Sequence, residues 1–149
     1  MKAYVLNERR LFFAPEAAQT LDAHRLGKKE AGGILLGRVY PSEVVVEMAT
    51  TPVRADKAGR FFFERHADSA QAAVVAAWNA TAGERIYLGE WHSHPARVGE
   101  PSGRDRQMIQ NNWRDAKMEI DFLLLVVLGR ERDWVGAIDA EGIRQLRVI

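Results

Sequence analysis

Residues 89–105 read G-E-W-H-S-H-P-A-R-V-G-E-P-S-G-R-D, and three side chains in that run form one ligand set. His92 and His94 offer imidazole nitrogens and Asp105 a carboxylate oxygen. Zinc accepts such donors at Zn–N distances of about 2.0–2.1 Å, and with three protein ligands its fourth position stays open to water. Side chains alternate along a strand, so two histidines separated by one residue leave the same face, with Cα atoms about 7 Å apart. Pro95 then takes the chain out of the ladder, leaving the imidazoles at an open sheet margin. Asp105 falls in the first turn of a following helix, where the helix dipole favours an anion. Ser102 suits the N-cap of that helix and is also placed to donate a hydrogen bond to a developing oxyanion. The remaining histidines, His24 and His66, stand in unrelated contexts as ordinary surface residues. The spacing therefore points to an open, catalytic site holding one zinc ion per chain.

An open zinc site needs a base to take a proton from the attacking water. Glu90 precedes His92 by two residues and shares its face, where it reads as a surface or structural carboxylate first and as a partner orienting an imidazole second, and Glu100 lies between His94 and Asp105. Residue types and spacing leave Glu30, Glu90 and Glu100 all open as the base.

The elements that carry these residues follow from periodicity. Residues 3–6 and 10–14 are short apolar runs, read as an opening strand or hairpin. Pro15 starts a helix that runs toward Gly27, with Ala17, Leu21, His24 and Leu26 on one face. Residues 31–40 form a buried strand after a tight glycine entry, and residues 43–48 pair with it across a turn at Pro41 and Ser42. Residues 51–60 read as an exposed loop and Phe61, Phe62 and Phe63 as a short strand. An alanine-rich helix spans 67–82, with Ala70, Val74, Ala77 and Trp78 at helical spacing. Residues 86–92 form the strand that delivers the histidines, and 103–117 a helix buried through Met108, Ile109 and Trp113. Strands at 122–128, 134–139 and 143–148 close the chain. Trp91 alternates away from the histidines into the core, where Trp78, Trp113 and Trp134 are also expected. The fold class is α/β of the α+β type, a mixed sheet partly covered by two or three helices, and residues 1–149 read as one domain.

Composition narrows the function. The chain has 149 residues, 47% hydrophobic and 28% charged, with a net charge of +1. That charge gives no basic field for nucleic acid and no acidic arm. With no cysteine present, a metal must be held by histidine and carboxylate. No stretch approaches the roughly 18 apolar residues that a spanning helix needs. The reading is a cytoplasmic protein with no nucleic-acid or membrane partner.

The combination of G-E-W-H-S-H-P, P-S-G-R-D and the upstream E-A-G-G-I-L-L-G resembles the JAMM (MPN+/JAB) metalloprotease family. The family signature is a Glu, then H-S/T-H-P, then S-x-x-D, and every position of it is filled. The resemblance implies Glu30 as general base, His92, His94 and Asp105 as zinc ligands, and Ser102 as stabiliser of the tetrahedral intermediate. It implies a curved mixed β-sheet flanked by helices, the JAB/MPN (cytidine-deaminase-like) architecture. In its compactness and motif style the chain is similar to small bacterial members of integrative elements and anti-phage (CBASS-type) operons. Those stand beside E1- and E2-like proteins and remove conjugates from a target such as a cyclic-nucleotide synthase. The implied activity is zinc-dependent hydrolysis after the C-terminal glycine of a ubiquitin-like protein or its conjugate. Two alternatives stand beside it: processing of a sulfur-carrier protein or its cysteine adduct, and a non-catalytic scaffold.

Overall fold

Apolar β-branched and leucine-rich runs dominate the middle of the chain, and in the computed structural model they form a single large sheet. The structure describes residues 1–59, 63–116 and 120–149. Strands β1 (Tyr4–Leu6) and β2 (Arg9–Phe13) make the opening hairpin, followed by helix α1 (Pro15–Ala23) and the paired strands β3 (Ala31–Val39) and β4 (Glu43–Ala49). The segment taken as an exposed loop contains a two-residue strand, β5 (Lys57–Ala58), which pairs with β6 (Phe63–Glu64) in a small separate ribbon. Phe61 and Phe62 of the expected apolar strand lie outside the described residues. Helix α2 (Ala67–Ala80), strand β7 (Ile86–Ser93) and helix α3 (Gly103–Asp115) follow, and the expected extension of α3 to Lys117 also lies outside the described residues. The chain closes with β8 (Leu123–Leu128), β9 (Trp134–Asp139), β10 (Gly142–Gln145) and β11 (Arg147–Val148).

The nine-stranded sheet runs in the order β10-β9-β8-β7-β3-β4-β2-β1-β11 and is mixed, with β7/β8 and β2/β4 parallel and the other pairs antiparallel. The expected last strand over 143–148 is in fact two strands at opposite edges of this sheet. Only Leu146, buried and bonded through its N–H to Val135 O at 2.8 Å, separates them. Residues two apart on extended chain span about 7 Å, so the two sheet edges meet and the sheet curls nearly closed on itself. The Leu146 side chain, facing the interior, sets the corner.

Alternating side chains divide the core between the two faces. On one face Leu35, Leu88, Trp91, Leu124, Val126 and Leu128 pack with Ala17 and Leu21 of α1. On the other, Ile109 of α3 lies on Leu123, Leu125 and Val127, and α2 covers Ile34 and Leu36 through Ala77, Val74 and Ala70. Each leucine fully buried in these layers contributes about 1.5–3 kcal/mol. A bulge in β7 pairs Leu36 with Tyr87 but Leu35 with Gly89, which leaves Leu88 as an extra residue. It puts Tyr87, Glu90 and His92 on the face covered by α2 and α3, while Leu88 and Trp91 enter the core beneath α1.

Helix α1 and Trp78 depart from what periodicity predicts. Helix α1 stops at Ala23 rather than near Gly27, because Arg25 leaves it to donate to Gly129 O at 3.0 Å and to pair with Asp133, and Leu26 is left exposed. Trp78 is 53% exposed rather than core. Ala77 takes the sheet-facing position, and the neighbouring indole lies over Gly83 on the outer flank. No helix among the described residues is long and apolar enough to cross a membrane.

Candidate functional site

In open α/β sheets, ligands are received beyond the carboxyl ends of parallel strands. The parallel pair β7/β8 has its carboxyl end where the two histidines stand, and antiparallel β3 begins at that same end. The register pairs Ala31 with Ser93 and Gly32 with His92, which brings Glu30, the residue before β3, beside the histidines despite a separation of more than 60 positions in sequence. The Glu30 N–H donates to Gly59 O at 2.7 Å, and the Ala31 N–H to Ser93 Oγ at 2.9 Å, so the backbone entering β3 is held on both sides.

Helix α3 delivers the aspartate. Ser102 is its N-cap: Ser102 Oγ accepts from the Asp105 N–H at 3.0 Å, and Asp105 Oδ2 accepts from the Ser102 N–H at 2.9 Å. This reciprocal capping box satisfies two otherwise orphaned donors. It leaves the Ser102 hydroxyl proton, on an exposed residue, free to donate elsewhere.

The predicted donors converge. His92 Nδ1 lies 2.7 Å from Asp105 Oδ1. His94 Nε2 lies 3.0 Å from Asp105 Oδ2 and 3.3 Å from Glu30 Oε1. Neither of those two contacts has hydrogen-bond geometry, so His94 Nε2 is a buried nitrogen with no hydrogen-bond partner among the described residues. Burial raises the Glu30 carboxyl above its ordinary value, against the opposing pull of His94. Burial also acts to raise Asp105, but the two imidazoles outweigh it and hold that carboxyl well below the usual carboxylate range. The Asp105 carboxylate in turn raises His94, against desolvation.

As the side chains stand, no group of three or more His, Asp or Glu among the described residues is arranged to hold an ion, because the donors contact one another. Their chemistry nevertheless fits a divalent metal. Two imidazoles and a carboxylate are the donor types zinc takes. An unpartnered buried nitrogen facing two carboxylate oxygens is a costly arrangement that a cation would relieve. Binding would also displace the proton that Asp105 favours on His94.

Of the other two candidate bases, Glu100 is exposed, and Glu90 is 1% exposed and already engaged. Glu90 accepts from Arg65 Nε at 2.6 Å and from the Tyr87 hydroxyl, the structural carboxylate of the two roles weighed for it, and it makes no hydrogen bond to an imidazole among the described residues. Burial raises its carboxyl, with Arg65 opposing. His24 and His66 are not plain surface residues either. His24 closes α1 and lies against the Trp91 ring at 5.3 Å, while His66 caps α2 by accepting from the Ser69 N–H at 3.3 Å.

Several contributors escape sequence reasoning. Phe63 packs edge-on against the His92 ring at 5.4 Å, and Ser93, the residue between the two histidines, anchors β3. Gly32 lies under the site: a Cβ there would stand 2.7 Å from His92 Cδ2, from Phe63 Cδ1 and from Trp91 O. Gly32→Ala is therefore expected to displace the imidazole and to strain the β3/β7 pairing at Trp91 O. Such a displacement lowers activity by about a hundredfold if it amounts to ~1 Å. Metal content measured on the folded variant should fall with it, and wild-type metal content and turnover would show that the methyl is accommodated elsewhere.

The family described as prokaryotic homologs of the JAB domain matches residues 16–143. A protein named CD-NTase/cGAS isopeptidase from Pseudomonas aeruginosa is 33% identical over 142 residues, covering 91% of this chain and 87% of that protein. Another of the same name from Vibrio cholerae is 32% identical over 120 residues, covering 80% and 74%. Among solved structures, protein DSY2949 from Desulfitobacterium hafniense superposes with a TM-score of 0.67 at 20% identity, over 93% of this chain and 91% of its own. That last likeness is one of fold.

Proposed function

Because the chain belongs to the family of prokaryotic JAB-domain homologs, we propose that it is a zinc-dependent isopeptidase acting after the C-terminal glycine of a ubiquitin-like protein or conjugate. The observation that carries this reading is the convergence of Asp105 and Glu30 oxygens on the unpartnered Nε2 of His94, with His92 on the far side of Asp105. His92, His94 and Asp105 would hold the metal, which when bound supplies Lewis-acid polarisation and a water of lowered pKa.

The protein's own groups do the rest. Glu30, its carboxyl raised by burial, takes a proton from the attacking water and returns it to the leaving amine, so one residue serves as base and then as acid. Water's oxygen bonds to the carbonyl carbon, the C–N bond breaks, and the products are a free carboxylate and an amine. The Ser102 hydroxyl donates to the oxyanion of the tetrahedral carbon. Phe63 and Gly32 keep the His92 ring fixed through this sequence.

The relatives' names favour a conjugate that involves a CD-NTase, a cyclic-nucleotide synthase, over a sulfur carrier. E1- and E2-like partners would then supply the conjugate. The test is hydrolysis by zinc-loaded and chelator-treated protein of two substrates. One is a ubiquitin-like protein joined through its C-terminal glycine to a CD-NTase, and the other a sulfur-carrier protein bearing a C-terminal cysteine. Metal-dependent release of the CD-NTase is the expected result. Cleavage of the carrier alone would move the activity to sulfur metabolism, and no cleavage of either by metal-loaded protein would favour a binding role.

A further inference from the structure

The chain that leaves His94 does not run free. His94 N–H donates to Leu128 O at 2.8 Å, Arg130 N–H to Ala96 O at 2.8 Å, Glu131 and Arg132 N–H to Arg97 O at 2.9 and 3.1 Å, and Gly99 N–H to Arg132 O at 2.7 Å. Val98 and Arg132 form a parallel bridge. The loop after the histidines and the turn between β8 and β9 are thereby joined into one ledge beside the site. The two backbones come so close that a Cβ on Gly129 would run into Gly99 N, and one on Gly99 into Val127 O. From beneath, Arg25 donates to Gly129 O at 3.0 Å and to Asp133 Oδ2 at 3.1 Å, and both partners of that ion pair are mostly buried. Backbone bonds between its two segments and the ion pair beneath it hold the ledge in place.

Its outer surface carries cations. Arg97, Arg130 and Arg132 are exposed, with Val98 36% exposed among them. Arg97 pairs with Glu131 at 3.1 Å, whereas Arg130 and Arg132 make no ion pair among the described residues. We propose that this ledge docks an acidic patch on the protein that carries the scissile bond. The inference rests on the isopeptidase reading. A protein partner suits the surface better than a nucleic acid does. Glu100 and Glu131 interrupt the guanidiniums, Val98 offers an apolar contact, and the chain's net charge of +1 gives no broad attractive field. Exposed ion pairs contribute little affinity each, but complementary charge on such a rim speeds encounter and selects the partner.

The test is the double reversal Arg130→Glu, Arg132→Glu in the zinc-loaded protein. Two substrates are compared: the ubiquitin-like–CD-NTase conjugate, and a short peptide of the same tail ending in a fluorogenic amine. We expect KM for the conjugate to rise about tenfold with kcat unchanged, and KM to lose its dependence on ionic strength. Peptide kinetics should stay as in the wild type, and Arg130→Lys, Arg132→Lys should behave as the wild type on both substrates. Equal losses on peptide and conjugate, or no change on the conjugate, would overturn the proposal. So would a single-stranded oligonucleotide that competes with the conjugate for wild-type protein but not for the reversal variant. If wild-type protein cleaves neither substrate, the isopeptidase reading fails. Binding of the intact conjugate then decides the ledge separately: affinity lost on charge reversal retains it, and equal or absent binding removes it.

Discussion

Glu30→Gln is expected to lose hydrolysis by about 10²–10⁴-fold, the contribution of a positioned general acid–base, while its metal content stays at the wild-type level. The amide has nearly the shape of the carboxylate, and the Glu30 N–H bond to Gly59 O is a backbone contact that the substitution leaves alone. What disappears is the proton acceptor 3.3 Å from His94. Single-turnover rates with metal analysis on the same sample check this. Loss of metal together with activity would make Glu30 a ligand, and near-normal turnover would place the base elsewhere. Among the glutamates considered, only Glu100 would then remain free, since Glu90 is committed to Arg65 and Tyr87.

Asp105→Ala should act on two properties at once. The carboxylate contacts both imidazoles and also accepts from the Ser102 N–H. Removing a group that merely orients a metal ligand costs about 10–100-fold in metal affinity, so removing a ligand should exceed ~100-fold. Loss of the Asp105 half of the capping box, with the Ser102 cap bond to the backbone of residue 105 retained, should lower stability by about 0.5–1 kcal/mol. Asp105→Asn separates the two effects, because its side-chain oxygen still accepts from the Ser102 N–H. That variant should melt near the wild type yet retain metal poorly in a chelator competition. Full metal retention by Asp105→Ala would strike this residue from the ligand set.

The local part of this architecture was legible in the sequence, and the long-range part was not. The leucine and valine runs of β3, β4, β8 and β9 announce buried strands, and the alternation rule puts His92 and His94 together from spacing alone. Asp105 and Ser102 follow from cap chemistry at a helix start. Glu30 is different: the pairing of Ala31 with Ser93 puts it beside His94, and periodicity carries no information about which strands are neighbours. Family resemblance singled it out where residue chemistry left three glutamates open. The same limit hid the split at Leu146, the ledge and the pairing of half-buried Arg65 with buried Glu90, each of which depends on contacts between distant segments. Trp78 misled because helical spacing fixes which residues share a face, whereas the width of the covered face depends on how α2 seats on the sheet.

The tryptophans give the molecule its own optical readout. Trp91 is fully buried, adjoins His92 in sequence and lies 5.3 Å from the His24 ring, while Trp78 is more than half open to solvent. A solvent-borne quencher such as acrylamide would silence Trp78 first and leave emission dominated by interior indoles. One of those is fixed to the strand whose opposite face carries His92. A change in the red edge or lifetime of that remaining emission would therefore follow movement of the site strand in unlabelled protein.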